Sequence, residues 1–303
     1  MQVGLRGLAG VLLGAALAGC DGSEPAADAG AAAKVDAYAV DTDLIDESSG
    51  LARSQRAPDL LWTHNDSGGA ATAYAVDVQG HYQGSVSVSL AVNLDWEDMS
   101  SFVEDGQPRL LLADVGDNGA FRPLVTLYVV DEPDVATRPR PFEVSVPIVR
   151  TISLIYPDGA RDVESVAVDA GEGWIYLLSK RDEVPQLYRV PLVPVLPLVI
   201  AEALGPTTVP RAPADTENPE RINWTTSMDF DADAMRLAVV TLSQLHVYRR
   251  APGQSWADAL SAMPQTVALP DYPQVEAVAW SGAGDAIWIT SEGTPAPLVR
   301  LGF

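Results

Sequence analysis

Val163-Glu164-Ser165-Val166-Ala167-Val168 and Val275-Glu276-Ala277-Val278-Ala279-Trp280 are one phrase written twice: an acidic residue, then an apolar run. Looser copies stand at Glu47-Ser-Ser-Gly-Leu-Ala52, Trp96-Glu-Asp-Met-Ser100 and Thr225-Thr-Ser-Met-Asp-Phe230. Aligned on their apolar cores, the five phrases put Ser49, Glu97, Glu164, Thr226 and Glu276 in one column, with spacings of 48, 67, 62 and 50 residues. A repeat of that length carrying several short β-type runs points to radial repetition of four-stranded units. The expected fold is therefore all-β, a β-propeller of four-stranded blades.

The rest of each unit fits this reading. Leu60-Leu-Trp-Thr63, Leu110-Leu-Leu-Ala113, Trp174-Ile-Tyr-Leu-Leu178, Leu237-Ala-Val-Val-Thr241 and Ile287-Trp-Ile-Thr290 are compact runs bounded by Gly, Pro, Asp and Asn, as expected of strands buried on both faces. Third strands are expected at Thr72–Asp77, Thr126–Asp131, Gln186–Val190 and Gln244–Tyr248. Turns between first and second strands fall at Asp169–Gly173, Asp231–Ala234 and Ser281–Asp285, whose Gly and Asp residues suit tight hairpins. No segment after the leader shows a 3.6-residue period, so helix is expected only as a turn near Trp256–Ser261.

The chain runs out after three strands of its last unit, at Pro297–Phe303. A fourth strand is expected from the N-terminal side, at Ala37-Tyr-Ala-Val-Asp41, which would close the ring and remove its free edges. Five blades are counted. Six is the alternative if the long segments at 131–160 or 190–220 hold a further unit.

Residues 1–19 read as a lipoprotein signal peptide, 20–34 as a lipidated cysteine with a flexible linker, and 35–303 as the propeller domain. The apolar stretch Leu8–Ala18 is much shorter than the roughly 20 residues that span a bilayer. Leu17-Ala-Gly-Cys20 resembles the bacterial lipobox, and Cys20, the one cysteine of the chain, has no intrachain partner for a disulfide. The expectation is a membrane contact through lipid on Cys20, with the domain held outside the cytoplasm at the cell envelope. With 19 basic against 41 acidic residues the net charge is −22, which argues against a nucleic-acid partner.

In a propeller the inner strand of each blade starts on the face where its second strand ends. Glu97, Glu164 and Glu276 should therefore gather with Asp66, Asp114, Asp117 and Asn118, and also with Asp95, Asp162, Lys180 and Glu292, at one mouth of the central channel. Two carboxylates about 6 Å apart repel by roughly 2–3 kcal/mol at an effective dielectric of 20. A hard divalent ion, Ca²⁺ before Mg²⁺, would relieve that repulsion in an irregular ring of oxygens. So would pairing with backbone amides and Lys180, with water filling the channel. Asp229-Phe-Asp-Ala-Asp-Ala234 imitates the start of an EF-hand loop, but lacks its sixth-position Gly and twelfth-position Glu.

The series Glu-x-Ser-Gly-Leu, Asp-x-Glu, Thr-Ser-Met-Asp-Phe and Gln-Val-Glu-Ala-Val-Ala, closed by Ile-Thr-Ser-Glu-Gly293, resembles the SdiA-regulated (YjiK-like) exported propellers over nearly all of residues 37 to 303. More remotely it is similar to the esterase-like phytase propellers. The first resemblance implies an exported binding module for an unknown protein or small-molecule ligand. The second implies a metal-dependent esterase or phosphoesterase, with a cation activating water. Catalytic signatures are otherwise missing: no Gly-x-Ser-x-Gly, no His-Glu-x-x-His and no phosphate-cradling glycine loop. Of three histidines, only His64, beside Asn65 and Asp66, is placed to approach the mouth as a base.

Overall fold

The computed structural model describes residues 34–303. The expected signal peptide, the lipidation expected at Cys20 and most of the expected linker lie outside the described residues. The described residues form one compact unit, built of 21 strands and two single-turn helices.

Four-stranded blades repeat five times. Blade 1 is β2 (Ser48–Arg53), β3 (Leu60–Asn65), β4 (Thr72–Asp77) and β5 (Tyr82–Ser89), preceded by β1 (Val35–Ala39). Blade 2 is β6 (Trp96–Glu104), β7 (Gln107–Asp114), β8 (Val125–Asp131) and β9 (Phe142–Ile155). Blade 3 is β10 (Val163–Asp169), β11 (Trp174–Ser179), β12 (Gln186–Pro191) and β14 (Glu202–Pro206), with the short β13 (Leu198–Ile200) laid parallel against β9. Blade 4 is β15 (Thr225–Phe230), β16 (Arg236–Thr241), β17 (Gln244–Arg249) and β18 (Gln265–Ala268). Blade 5 is β19 (Val275–Trp280), β20 (Ala286–Ser291) and β21 (Pro297–Gly302), completed on its outer edge by β1.

The inner strands β2, β6, β10, β15 and β19 each pack on the next, and β19 returns to β2, so the ring is closed with five members. The two segments that left room for a sixth blade are accounted for within it. Residues 142–155 are the long outer strand β9, which also pairs parallel to β5 and joins blades 1 and 2 at their rims. Residues 190–220 carry β13, β14 and loop.

Closure comes from the N-terminal side, by a strand that begins two residues earlier than expected: Val35 opposes Leu301 and Ala39 opposes Pro297. Val40 then turns away, donating to the Ala296 carbonyl at 2.9 Å and burying its own side chain, which ends the strand. The expected hairpin turns are present. Gly173, Gly284 and Ala234 adopt positive φ at equivalent corners, so blade 4 tolerates with alanine a left-handed position that its neighbours fill with glycine. The turn near Trp256 is α2 (Trp256–Ala259), capped by Ser255, while α1 (Glu220–Asn223) leads into β15.

The core consists of apolar layers between blades, in which Trp62, Trp96, Trp256 and Trp280 are fully buried. Each such side chain removes enough apolar surface from water to stabilise the fold by about 2–3 kcal/mol. Trp174 is the exception among the expected core tryptophans, lying at the rim beneath Arg189 at 4.0 Å.

Candidate functional site

Every inner strand is bulged at or beside the column position. Pairing skips Glu97, Glu164, Thr226 and Glu276 in blades 2 to 5, and Gly50, next to Ser49, in blade 1. A bulge inserts an unpaired residue and re-aims its side chain, so glutamates on otherwise apolar strands point into the channel.

The mouth is a cavity of ≈ 150 Å³ lined by Ser49, Asp66, Glu97, Asn118, Glu164, Lys180, Arg181, Gln274, Glu276 and Glu292. Ser49 and Thr226, the two uncharged column members, spend their hydroxyls on backbone: Ser49 Oγ donates to the Glu97 carbonyl at 2.6 Å and Thr226 Oγ1 to that of Val275 at 2.8 Å. They tie neighbouring blades together, and the charged members remain for chemistry.

Two carboxylate triads share Glu97. Oxygens of Asp66, Asp95 and Glu97 lie within 4.8 Å of one another, and so do oxygens of Glu97, Asp162 and Glu164. The second triad has its own cations. Lys180 is bonded to Glu164, and Arg181 to Asp162 with a longer contact to Glu164 at 3.3 Å. Trp224 backs this side of the mouth, with Arg181 over its ring at 4.6 Å and Lys180 at 5.7 Å. Asp162 additionally accepts from the Asp117 N–H at 2.9 Å.

The first triad has no such relief. Among the described residues none of its three carboxyls forms an ion pair or a side-chain hydrogen bond, and Asp66 Oδ1 is buried without a partner. Glu97 is 5% exposed. Burial, and then the charges of Glu164 and Asp66, push its carboxyl well above the ordinary range. Burial likewise raises Asp66 to about 7, assisted by Asp95 and Glu47, and raises Asp95. Glu276, which lacks a partner too, is raised to about 7 by burial against the pull of Lys180, and Glu164 to about 8. Burial opposes the charge on Lys180, but Glu164, Glu276 and Glu97 outweigh it and lift its pKa above the usual value.

Gly116, in the loop after β7, makes this crowding sterically feasible. A methyl group there would stand 2.1 Å from Glu97 Oε1 and 2.6 Å from Asp95 Oδ2.

Of the residues expected at the site, Glu97, Glu164, Glu276, Asp66 and Asn118 meet at this cavity. Asp114 and Asp117 do not line it. Asp114 accepts from Arg122 at 2.7 Å, and Asp117 from the Phe121 and Arg122 N–H groups at 3.0 and 2.7 Å, so both carboxylates fold the loop that carries Asn118. His64 is fully buried edge-on to Trp96, its Nδ1 3.0 Å from the Asn65 carbonyl, and burial pushes its pKa down to about 4. It is packed over Gly50, where a Cβ would meet its Nε2 at 2.4 Å, and it does not reach the cavity. The EF-hand-like stretch is the β15–β16 turn, closed by Asp231 accepting from Met235 and Arg236.

Sequence reasoning overlooked three contributors. Gln274 borders the cavity and donates to Glu292. Trp224 has no counterpart in the repeat. Asp98 follows Glu97 and is wholly buried on the channel axis, accepting from Met99 N (2.9 Å), Val166 N (2.7 Å), Ser227 Oγ (2.9 Å) and Met228 N (3.2 Å). Ser227 Oγ accepts in turn from Val278 N at 3.1 Å, so one carboxylate links blades 2 to 5. The signal was available: at the position after the column, blades 1, 3, 4 and 5 carry Gly50, Ser165, Ser227 and Ala277, and only blade 2 carries a charge.

No protein-family model and no curated protein matches the chain. Solved structures similar to it include U3-55K (11% identity, 84% of this chain and 68% of that one, TM-score 0.42) and hydrazine synthase of Kuenenia stuttgartiensis (10% identity, 83% and 70%, TM-score 0.41). The Pan2 WD40 domain of Neurospora crassa is similar at 11% identity over 86% of this chain and 64% of that one, with a TM-score of 0.37.

Proposed function

We propose that this propeller is a cation-binding module that takes one divalent ion, calcium by preference, at the channel mouth between Asp66, Asp95 and Glu97. The observation that carries the reading is Glu97, a buried carboxylate with no donor of its own, shared by two triads of which only one is neutralised by protein cations. Two oxygens that ligate one calcium from opposite sides stand about 4.8 Å apart, given metal–oxygen distances of about 2.4 Å, so the unpaired triad is already within reach of a single ion. Carboxylates, the Asn118 amide and cavity water form the hard, irregular oxygen set that calcium accepts more readily than magnesium.

An anchored, extracytoplasmic binding module remains the setting we propose for this site, from Leu17-Ala-Gly-Cys20 and the acidic linker. An ester hydrolase has less support. Arg122, Arg161, Lys180 and Arg181, the cations nearest the mouth, are all engaged by carboxylates, which leaves none free to hold a phosphate. With His64 packed away from the cavity, no neutral base stands beside the triad among the described residues either.

The test is the melting temperature of purified protein with chelator and with added calcium. Saturation at about 100 times Kd adds about 2.7 kcal/mol, so calcium should raise the melting temperature by several degrees, and Glu97→Gln should blunt the rise. Identical curves with chelator and calcium would refute the proposal.

A further inference from the structure

At the other end of the inner strands, four residues or about 13 Å along β2 from the cation site, the channel opens into a basin of ≈ 440 Å³. Its walls include Arg53, Gln55, Phe102, Asp229, Phe230 and the turn after β10. Most charges around it are neutralised within the protein. Asp169 is paired with Arg250 at 2.9 Å and Asp231 with Arg236 at 2.6 Å.

Besides Asp233, which is exposed to solvent, two groups of opposite sign are left over. Arg53 forms no ion pair among the described residues. Its one side-chain hydrogen bond is from Nη1 to Gln55 Oε1 at 3.0 Å, and Gln55 is itself fixed by donating to the Ser101 carbonyl and Oγ at 3.2 and 3.0 Å. Asp229 is 7% exposed. Its Oδ2 accepts from the Trp280 N–H of blade 5 at 2.8 Å, and Oδ1 has no side-chain donor. Arg53 and Asp229 line the same basin without pairing with each other, and Phe102 and Phe230 add apolar wall.

We infer that this basin is a second ligand site, for a small zwitterion of the α-amino-acid type with an apolar side chain. The guanidinium, held by Gln55, receives the ligand carboxylate as a charge-assisted fork. The Asp229 carboxylate receives the ammonium, and the side chain lies on Phe102 and Phe230. A simple cation would meet Arg53 and a simple anion would meet Asp229, so a ligand carrying both charges is the one that leaves neither group unpaired.

The experiment is calorimetric titration of the full chain with L-leucine and L-phenylalanine, set beside their N-acetyl and amide derivatives. The free amino acids should bind, and either derivative should lose roughly tenfold or more in affinity, because each removes one charged partner. Arg53→Gln and Asp229→Asn should weaken the free amino acids to the same degree while leaving the calcium response at the opposite mouth unchanged. Asp229→Asn keeps an oxygen for Trp280 N–H. Should that variant nonetheless fail to fold, Arg53→Gln at a partly buried position decides the matter alone. Absence of heat with every free amino acid, or undiminished binding by Arg53→Gln, would overturn the assignment.

Discussion

Glu97 and Asp98 are consecutive residues on one inner strand, and the bulge between Trp96 and Asp98 turns both carboxylates toward the channel, where one has no donor and the other has four. The pair divides the channel's labour. Asp98 is consumed in holding blades together, and Glu97 is kept free by the same backbone irregularity. Burial pushes the Asp98 carboxyl upward, and its four donors work against that push.

Substitution should separate the two roles. Asp98→Asn places an amide N–H against backbone donors and should cost about 3 kcal/mol or more, since each lost bond to a charged acceptor is worth about 1.5–3. Glu97→Gln removes a buried, unpaired acid and should leave the metal-free protein as stable as the parent or more so. Urea unfolding of the two variants in chelator checks both. A Glu97 variant that loses as much as the Asp98 variant would mean that Glu97 is structural.

The acidity of the mouth sets a direction for pH dependence. Glu164, Glu276 and Asp66 have folded-state values of about 8, 7 and 7, all above their unfolded values of 4.5, 4.5 and 3.8. The fold therefore favours their protonated forms, and their contribution to stability is full below about pH 4, declining as pH rises through 7 to 8. Metal-free protein should melt progressively lower between pH 5 and 8. Calcium should remove part of that decline and not all of it, because Asp229 at the far basin is raised to about 7 by burial and lies beyond the ion's reach. Melting temperature against pH, with and without calcium, reads this directly, and a rise with pH in chelator would contradict it.

Gly116 tests the site without replacing a ligand. It does not adopt positive φ, so alanine there introduces no backbone strain, yet its methyl would collide with the tips of Glu97 and Asp95. Gly116→Ala should lower calcium affinity by roughly tenfold or more, as expected when a ligand set is displaced by about an ångström, with a much smaller change in the metal-free melting temperature. Unaltered affinity would place the ion elsewhere.

Ring closure by β1 is equally open to test. A chain beginning at Lys34 keeps the five-residue pairing of Val35–Ala39 with Pro297–Leu301, whereas one beginning after Asp43 exposes β21 as an unpaired edge. The shorter chain should aggregate or melt well below the longer one in size-exclusion and thermal-melt measurements. Equal melting temperatures would show that blade 5 stands without its outer strand.

Much of this architecture was legible because a propeller repeats its inner strand. The phrase around Glu164 recurs at Glu276 with the same apolar face, and that period yielded the blade count, the closing strand and the convergence of Glu97, Glu164 and Glu276. What the repeat could not convey was partnership. Whether Glu164 is free or spent on Lys180 depends on a side chain 16 residues away, just past the end of β11, and whether Asp114 faces the mouth depends on how Arg122 folds back. The bulges that aim the glutamates inward leave no mark of their own in the sequence. Asp98 went unnoticed beside the acidic column because it reads as one more member of an Asp/Glu cluster, and its four donors come from three different blades.

The most direct test of cation binding at the mouth is titration of calcium into metal-free protein near pH 7 with simultaneous measurement of proton release. If the ion sits between Asp66, Asp95 and Glu97, one calcium should bind per chain and expel about one proton or more, because buried carboxyls with raised pKa values must ionise to ligate it, and Glu97→Gln should abolish both signals. Titration without saturable binding, or binding that releases no proton and is indifferent to Glu97→Gln, would contradict a metal at this mouth.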